Sequence, residues 1–228
     1  MVRSPGATMI RVLLADDEPL LRAGARLLLN QAGDIDVVAE ASDGAEAIDV
    51  VRRMPVDVAL MDIRMPRVDG LAAVEELGRV APGVRVIMLT TFGDEAYVAR
   101  ALRAGAAGFL LKDTDPAQLI QAVRSAATGD AVLSPRIAKQ VIDRFRDTDA
   151  ADAESVARAK RRLEGLTARE LDVLVRVGRG LGNAEIAGEL RLSSGTVKIH
   201  VSRILAKLGC ANRVQAAILA HDAGMLRG

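Results

Sequence analysis

Aromatic residues are nearly missing from this chain: it has no Trp, one Tyr and three Phe among 228 residues. An aromatic-lined pocket for a small signal molecule is therefore not expected. Half of the residues are hydrophobic, so a sizeable core has to be built from Leu, Val, Ile and Ala. Cysteine occurs once, as Cys210, which excludes an internal disulfide and a cysteine cluster for zinc. No apolar run reaches the roughly 18 residues that a membrane span needs. Met1–Thr8 lacks an apolar stretch long enough for a secretory signal. These absences lead to the expectation of a cytoplasmic protein with no membrane partner. Met9 directly precedes the first apolar run, so residues 1–8 are read as a disordered, vector-derived or over-called start.

Charge of either sign is plentiful but unevenly placed. Residues 1–155 carry 18 Lys+Arg and 24 Asp+Glu, net −6, whereas residues 156–228 carry 13 and 6, net +7. An acidic part followed by a basic one places nucleic-acid binding in the second part. In the first part, short apolar runs alternate with helical periodicity. The runs are Ile10–Ala15, Asp36–Glu40, Asp57–Met61, Val84–Leu89 and Ala107–Leu111, continuous as for strands covered on both faces. Between them lie helical patterns such as Leu20, Leu21, Leu27 and Leu28, or Leu71, Val74 and Leu77. Five strand–helix pairs predict an α/β fold, a doubly wound five-stranded parallel sheet with helices on both faces. The spacing sets a domain over residues 9–128. A partly helical linker follows over 129–163, with a helix over Arg136–Arg146, an acidic tract from Asp147 to Glu154, and basic Arg158–Arg162, which either extends the linker or sits near DNA. An all-α domain occupies 164–228.

Parallel sheets bind ligands beyond the carboxyl ends of their strands. Asp16, Asp17 and Glu18 follow the first run, Asp62 ends the third, Thr90 and Thr91 the fourth, and Lys112 the fifth. Three carboxylates in one crevice repel one another and call for a divalent cation. Oxygen ligands that leave room for water suit Mg²⁺. Such a cation would also neutralise an incoming phosphoryl group, for which one carboxylate can act as acceptor. Taken singly, Asp17 or Glu18 reads equally well as a helix cap before Pro19, Thr90 as a turn residue and Lys112 as a solvated charge. The joint pattern at four strand ends favours a site.

The segments Leu13–Glu18, Leu60–Gly70 and Gly105–Lys112 resemble response-regulator receivers, and the resemblance spans about Ile10 to Thr128. It implies a flavodoxin-like fold with Asp62 as phosphoacceptor. Asp16, Asp17 and Asp62 hold Mg²⁺ together with the Arg64 carbonyl, Thr90 and Lys112 contact the phosphoryl group, and Phe109 stands at the position of a switch aromatic or is a plain core residue. Many receivers have a Pro after the last lysine; Asp113 stands there, which leaves a strained cis bond or a trans loop.

The basic part reads as helices throughout. Leu166-Thr167-Ala168-Arg169-Glu170 has the form of a capping box. Asn183 is placed as cap of a second, short helix, and Ser193–His200 as a tight turn entering a third helix with Val197, Val201, Ile204, Leu205 and Leu208 buried. That order fits a helix-turn-helix. Leu166–Ala220 resembles the LuxR-type DNA-binding domain in Asn183-Ala-Glu-Ile-Ala187, Thr196–Val201 and Lys207–Arg213. The whole chain is similar to the NarL/FixJ class. By that resemblance Lys198 and Ile199 face bases, with Thr196, Arg203 and Lys207 near the backbone and Ser202 where some members carry Lys. His200 is placed in packing or at a phosphate. The resemblance implies a transcriptional regulator that a histidine kinase phosphorylates, that dimerises when phosphorylated, and that binds a double-stranded DNA operator. It is an enzyme only in phosphorylating and dephosphorylating itself. Other readings are a phosphorylation-independent regulator, a ligand-sensing LuxR-type protein and an aspartyl phosphohydrolase. The last usually has a second acid two residues past the nucleophile, where Arg64 stands.

Overall fold

The computed structural model describes residues 9–91, 95–133 and 153–226. The expected helix over Arg136–Arg146, the acidic tract up to Asp152 and the leading eight residues lie outside the described residues. The acidic part is a parallel sheet with strands β1 (Ile10–Ala15), β2 (Ile35–Ala41), β3 (Val58–Asp62), β4 (Arg85–Thr90), β5 (Gly108–Leu111) and β6 (Val132–Leu133), in the order β2-β1-β3-β4-β5-β6. The connecting helices are α1 (Pro19–Asn30), α2 (Gly44–Arg53), α3 (Gly70–Val80), α4 (Glu95–Ala104) and α5 (Pro116–Thr128). The sheet has six strands, not the expected five. β6 is two residues long and lies in the stretch read as linker, and a two-residue strand carries no period-2 signal to detect.

Strand residues alternate between two apolar cores, which is why the runs are continuous rather than striped. Leu13, Met61, Met88 and Phe109 face one core with Leu71, Val74 and Leu77 of α3. Val12, Leu14, Leu60, Ile87 and Leu110 face the other with Leu29 of α1 and Val123 of α5. Helix starts are set by side chains: Asp43, Asp69 and Asp115 accept from Glu46, Ala72 and Ala117 backbone N–H groups. The α1 stripe departs from expectation. Leu20 is 84% and Leu27 68% exposed, and Leu29 is the helix's buried residue.

The basic part holds α6 (Ala153–Leu163), α7 (Ala168–Gly178), α8 (Asn183–Leu190), α9 (Ser194–Leu208) and α10 (Arg213–Asp222). Its core joins Leu174, Val177, Ile186, Val197, Val201, Ile204, Leu208, Leu219 and Ala220, with Ala159 and Leu163 of α6. The basic stretch Arg158–Arg162 is thus part of a helix packed on this core. Thr167 and Glu170 form the expected capping box. Asn183 does not cap α8: Gly182 holds the N-cap position, its N–H donating to Glu185 Oε2 at 2.7 Å, and Asn183 is the first helical residue. The tight turn into α9 passes through Arg191 at φ 54°, and Ser193 caps α9 by accepting from Thr196 N–H.

Candidate functional site: an acidic cleft and the contact between the two parts

Strand register assembles the cleft. Ala15 pairs with Met61, Asp62 with Leu89 and Thr90 with Leu111, so the residues that end these strands emerge side by side. A close approach behind Asp62 requires glycine: a Cβ on Gly70 would lie 2.0 Å from the Asp62 carbonyl oxygen. One carboxylate oxygen from each of Asp16, Asp17 and Asp62 lies within 4.8 Å of the others. Asp16, Asp62 and Thr90 are buried, and Asp17 is exposed. The cleft, about 410 Å³, is lined by Asp17, Asp62, Arg64, Thr90, Tyr97 and Lys112 among others.

Lys112 Nζ reaches Asp16 Oδ2 at 2.8 Å, Asp62 Oδ2 at 3.0 Å and Glu18 Oε1 at 3.3 Å. Burial works against its charge, but the bonds to Asp16 and Asp62 outweigh it and hold the ammonium above the usual lysine range. Asp62 is held above the usual carboxylate range, chiefly by burial and also by the Asp16 charge, although Lys112 pulls the other way. Its second oxygen, Oδ1, accepts from Ile63 N–H at 2.7 Å. The Lys112–Asp113 bond is trans, as are all described peptide bonds.

The structure therefore brings Asp16, Asp17, Asp62, Thr90 and Lys112 together. Phe109 is fully buried in the core beside Met88 and does not line the cleft. Tyr97 belongs to the site and was not singled out in the sequence, and Glu18, named there only among the acids after the first run, joins it through Lys112. Tyr97 sits under the Arg64 guanidinium, 5.9 Å from ring centroid to Cζ. A lone Tyr on a helix carries no signal of where its ring points.

On α9, Lys198, Ile199, Ser202, Arg203 and Lys207 are exposed and Thr196 half-buried. The buried face is the expected one. Lys207 Nζ is 2.7 Å from Glu170 Oε2. That bond, with the Thr167 N–H, lowers the Glu170 carboxyl to about 2. Nδ1 of His200 is buried without a hydrogen-bond partner among the described residues, in keeping with packing.

The two parts meet mainly through the starts of α8 and α10, with one contact from α9. Lys198 Nζ donates to the Ala127 carbonyl at 3.0 Å, at the C-terminal end of α5. Arg213 pairs with Asp130 and donates to the Leu181 carbonyl at 2.6 Å, while Asn183 N–H donates to Asp130 Oδ1 at 3.0 Å and Asn183 Nδ2 to the Thr128 carbonyl at 2.9 Å. Asn212 Nδ2 donates to the Leu102 and Ala106 carbonyls, both at 2.8 Å, and Gln215 Nε2 to those of Leu102 and Arg103 at 2.8 and 3.1 Å. Val214 and Ile218 of α10 join the apolar core on the α3–α4 side of the sheet. The sequence marked Asn212 and Arg213 as motif residues. Nothing in it pairs them with Asp130 or with the end of α4.

Residues 12–124 match the family described as response regulator receiver domain, and residues 164–220 match bacterial regulatory proteins, luxR family. An uncharacterized transcriptional regulatory protein of Bacillus subtilis, YxjL, is 42% identical over 96% of this chain and 98% of its own length. The Escherichia coli nitrate/nitrite response regulator protein NarP is 40% identical over 94% and 96%. Among solved structures, the response regulator ChrA of a heme-sensing two-component system superposes with a TM-score of 0.52 at 36% identity, over 95% of this chain and 98% of that one.

Proposed function

The chain belongs to the response regulators that join a receiver to a LuxR-type DNA-binding domain, and from that membership we propose that phosphorylation of Asp62 uncovers the α9 recognition helix. The chain is a transcriptional regulator. In the proposed switch, Asp62 Oδ attacks the phosphorus of a phosphohistidine on a sensor kinase. The P–N bond breaks, the imidazole leaves with a proton, and an acyl phosphate remains. Lys112 already stands within ion-pair distance of Asp62 and supplies positive charge to the transferred group. Thr90, at the next strand end, offers its hydroxyl.

The donor set of Asp16, Asp17 and Asp62 is all oxygen, close enough to share one ion, and two of the three side chains are buried. These carboxylates and the Arg64 carbonyl fit Mg²⁺. When bound, the ion supplies charge neutralisation for the transferred phosphoryl group.

The observation that carries the masking is Lys198 docked on the α5 carbonyl end beside the Asp130–Arg213 pair. In this arrangement the receiver takes up the Lys198 ammonium, while Ile199, Ser202 and Arg203 of the same helix stay exposed. Carbonyls at a helix C-terminus are the negative end of its dipole, so the receiver offers the recognition helix what DNA would offer. Val214 and Ile218 of α10 pack into the receiver core, so that face is not open for pairing two DNA-binding domains. Exposed Leu20 and Leu27 on α1 offer a second apolar patch for pairing receivers. The proposed partners are therefore a histidine kinase, a second copy and an operator duplex.

Acetyl phosphate with Mg²⁺, followed by intact-mass measurement and gel-shift selection from a randomised duplex pool, tests the reading. One phosphoryl adduct per chain and tighter operator binding by the adduct are expected. Equal operator affinity with and without the adduct would leave a phosphorylation-independent regulator.

A further inference from the structure

The helix α6 ends at Leu163, one residue before the stretch that matches the luxR family begins. It nevertheless belongs to the DNA-binding core, because Ala159 and Leu163 are buried in it. Between Glu154 and Glu164 the helix carries Arg158, Lys160, Arg161 and Arg162 and no acid. All four are exposed. Arg158 precedes Arg161 and Arg162 by three and four residues, so the three share a side of the helix. Like charges at that spacing repel one another, while the cations of the last turn also suit the negative end of the helix dipole. By helical spacing, Ala159 and Leu163 define the inner stripe, with Arg162 on one flank and Lys160 on the other. The Arg162 flank is located by contact: its guanidinium donates to the Leu208 carbonyl at the C-terminal end of α9. Leu208 adjoins Lys207, so the cations of the recognition helix continue onto this side of α6.

We propose that Arg158 and Arg161 form a second DNA contact, binding backbone phosphates next to the half-site that α9 reads. The surface suits a polyanion rather than an acidic protein patch, since it is narrow, carries three arginines on one side and adjoins the C-terminal end of the proposed DNA-reading helix. Arginine also forks onto phosphate oxygens bidentately. The inference rests on α9 being the DNA-reading helix, and its test keeps the two apart.

Binding of the acetyl-phosphate-treated full chain to a 30-base-pair duplex of random sequence would be measured from low to moderate salt. Each phosphate contact contributes about 0.9 to the slope of log affinity against log salt. Arg158→Ala/Arg161→Ala should lower the slope by about two and weaken binding to every sequence alike. Lys160→Ala, removing the same charge from the flank away from α9, should lower it by less than half a contact, by the same rule. An unchanged slope in the double variant, or an equal loss per charge from Lys160→Ala, overturns the proposal. Lys198→Ala, measured on the preferred operator, serves as the separate control: unaltered affinity and unaltered preference there would count against α9 as the reading helix, whatever the slope of the double variant.

Discussion

At the scale of single residues, chemistry and strain both make measurable demands. Asp62→Asn keeps the shape of the side chain and removes the nucleophile, and its neighbours lose a repelling charge. The variant should fold and take up no phosphoryl group; an acid-labile adduct of the same mass in its intact-mass spectrum would place the acceptor elsewhere. Glu170 bears on stability. Its carboxyl is lowered from 4.5 to about 2, first by the Lys207 hydrogen bond and then by the Thr167 N–H. A lowered carboxylate stabilises the fold fully above its unfolded value and loses that contribution as pH falls through the folded one. The Glu170 side chain is 5% exposed but that of Lys207 is 41% exposed, which screens the pair. Glu170→Gln should therefore cost about 1–2 kcal/mol at neutral pH. In denaturant melts the gap between variant and parent should close between pH 4.5 and about 2. Arg191 holds φ 54° in the helix-turn-helix turn. That region costs a non-glycine residue roughly 1–2 kcal/mol, against roughly 0.5–1 kcal/mol of extra chain entropy for glycine. Strain wins narrowly, so Arg191→Gly should raise the melting temperature by a few degrees; a lower one would mean that the Arg191 side chain has contacts that offset its backbone.

At the scale of elements, α9 has one face fixed by packing and one exposed. Val197, Val201, Ile204, Leu205 and Leu208 are buried, and Lys198 is exposed on the flank of that face. If Lys198 reads a base bidentately, Lys198→Ala should cost about 1–3 kcal/mol on the preferred operator and relax the preference at one position. A uniform loss over all sequences would make it a phosphate contact. The legibility of elements followed their hydrogen-bond and burial signals. β1 runs over the residues expected of it, and the capping box at Thr167 sits where the local pattern put it. Two-residue β6 was not legible, because its strand partner is distant in the chain, and neither was the displacement of the α8 cap from Asn183 to Gly182. Asn183 looks like a cap locally; it is instead drawn out of that role by Asp130 and the Thr128 carbonyl.

At the scale of the whole molecule, the contact between the two parts is polar around an apolar centre. Arg213 is buried, and its guanidinium is held below its usual range by burial, with Asp130 working against that. Removing one partner of such a pair leaves a charge without compensation, a larger loss than the pair's own net worth. Asp130→Ala should therefore open the molecule and raise the operator affinity of unphosphorylated protein by about tenfold or more, corresponding to roughly 1.5–3 kcal/mol. Small-angle scattering should show a larger radius of gyration at the same mass. No change in either quantity would rule out masking through this pair. Leu20→Glu/Leu27→Glu should leave phosphoryl uptake intact while keeping the protein monomeric in sedimentation velocity; persistence of the dimer would assign pairing to α10.

The amino-acid order by itself determined the alternation of strands and helices, the strand ends that carry Asp16, Asp62, Thr90 and Lys112, and the division into an acidic and a basic part. Each of these rests on local periodicity or on the rule that ligand groups follow parallel strands, so a linear reading reaches them. Tertiary structure decided what spans the chain. It set Lys112 between Asp16 and Asp62, turned Leu20 and Leu27 of α1 outward, buried Phe109 away from the cleft and seated α9 and α10 on the receiver. Asp130 and Arg213 lie 83 positions apart, and no periodicity links residues at that distance. Their pairing follows from how two folded surfaces fit, which only the packed molecule specifies.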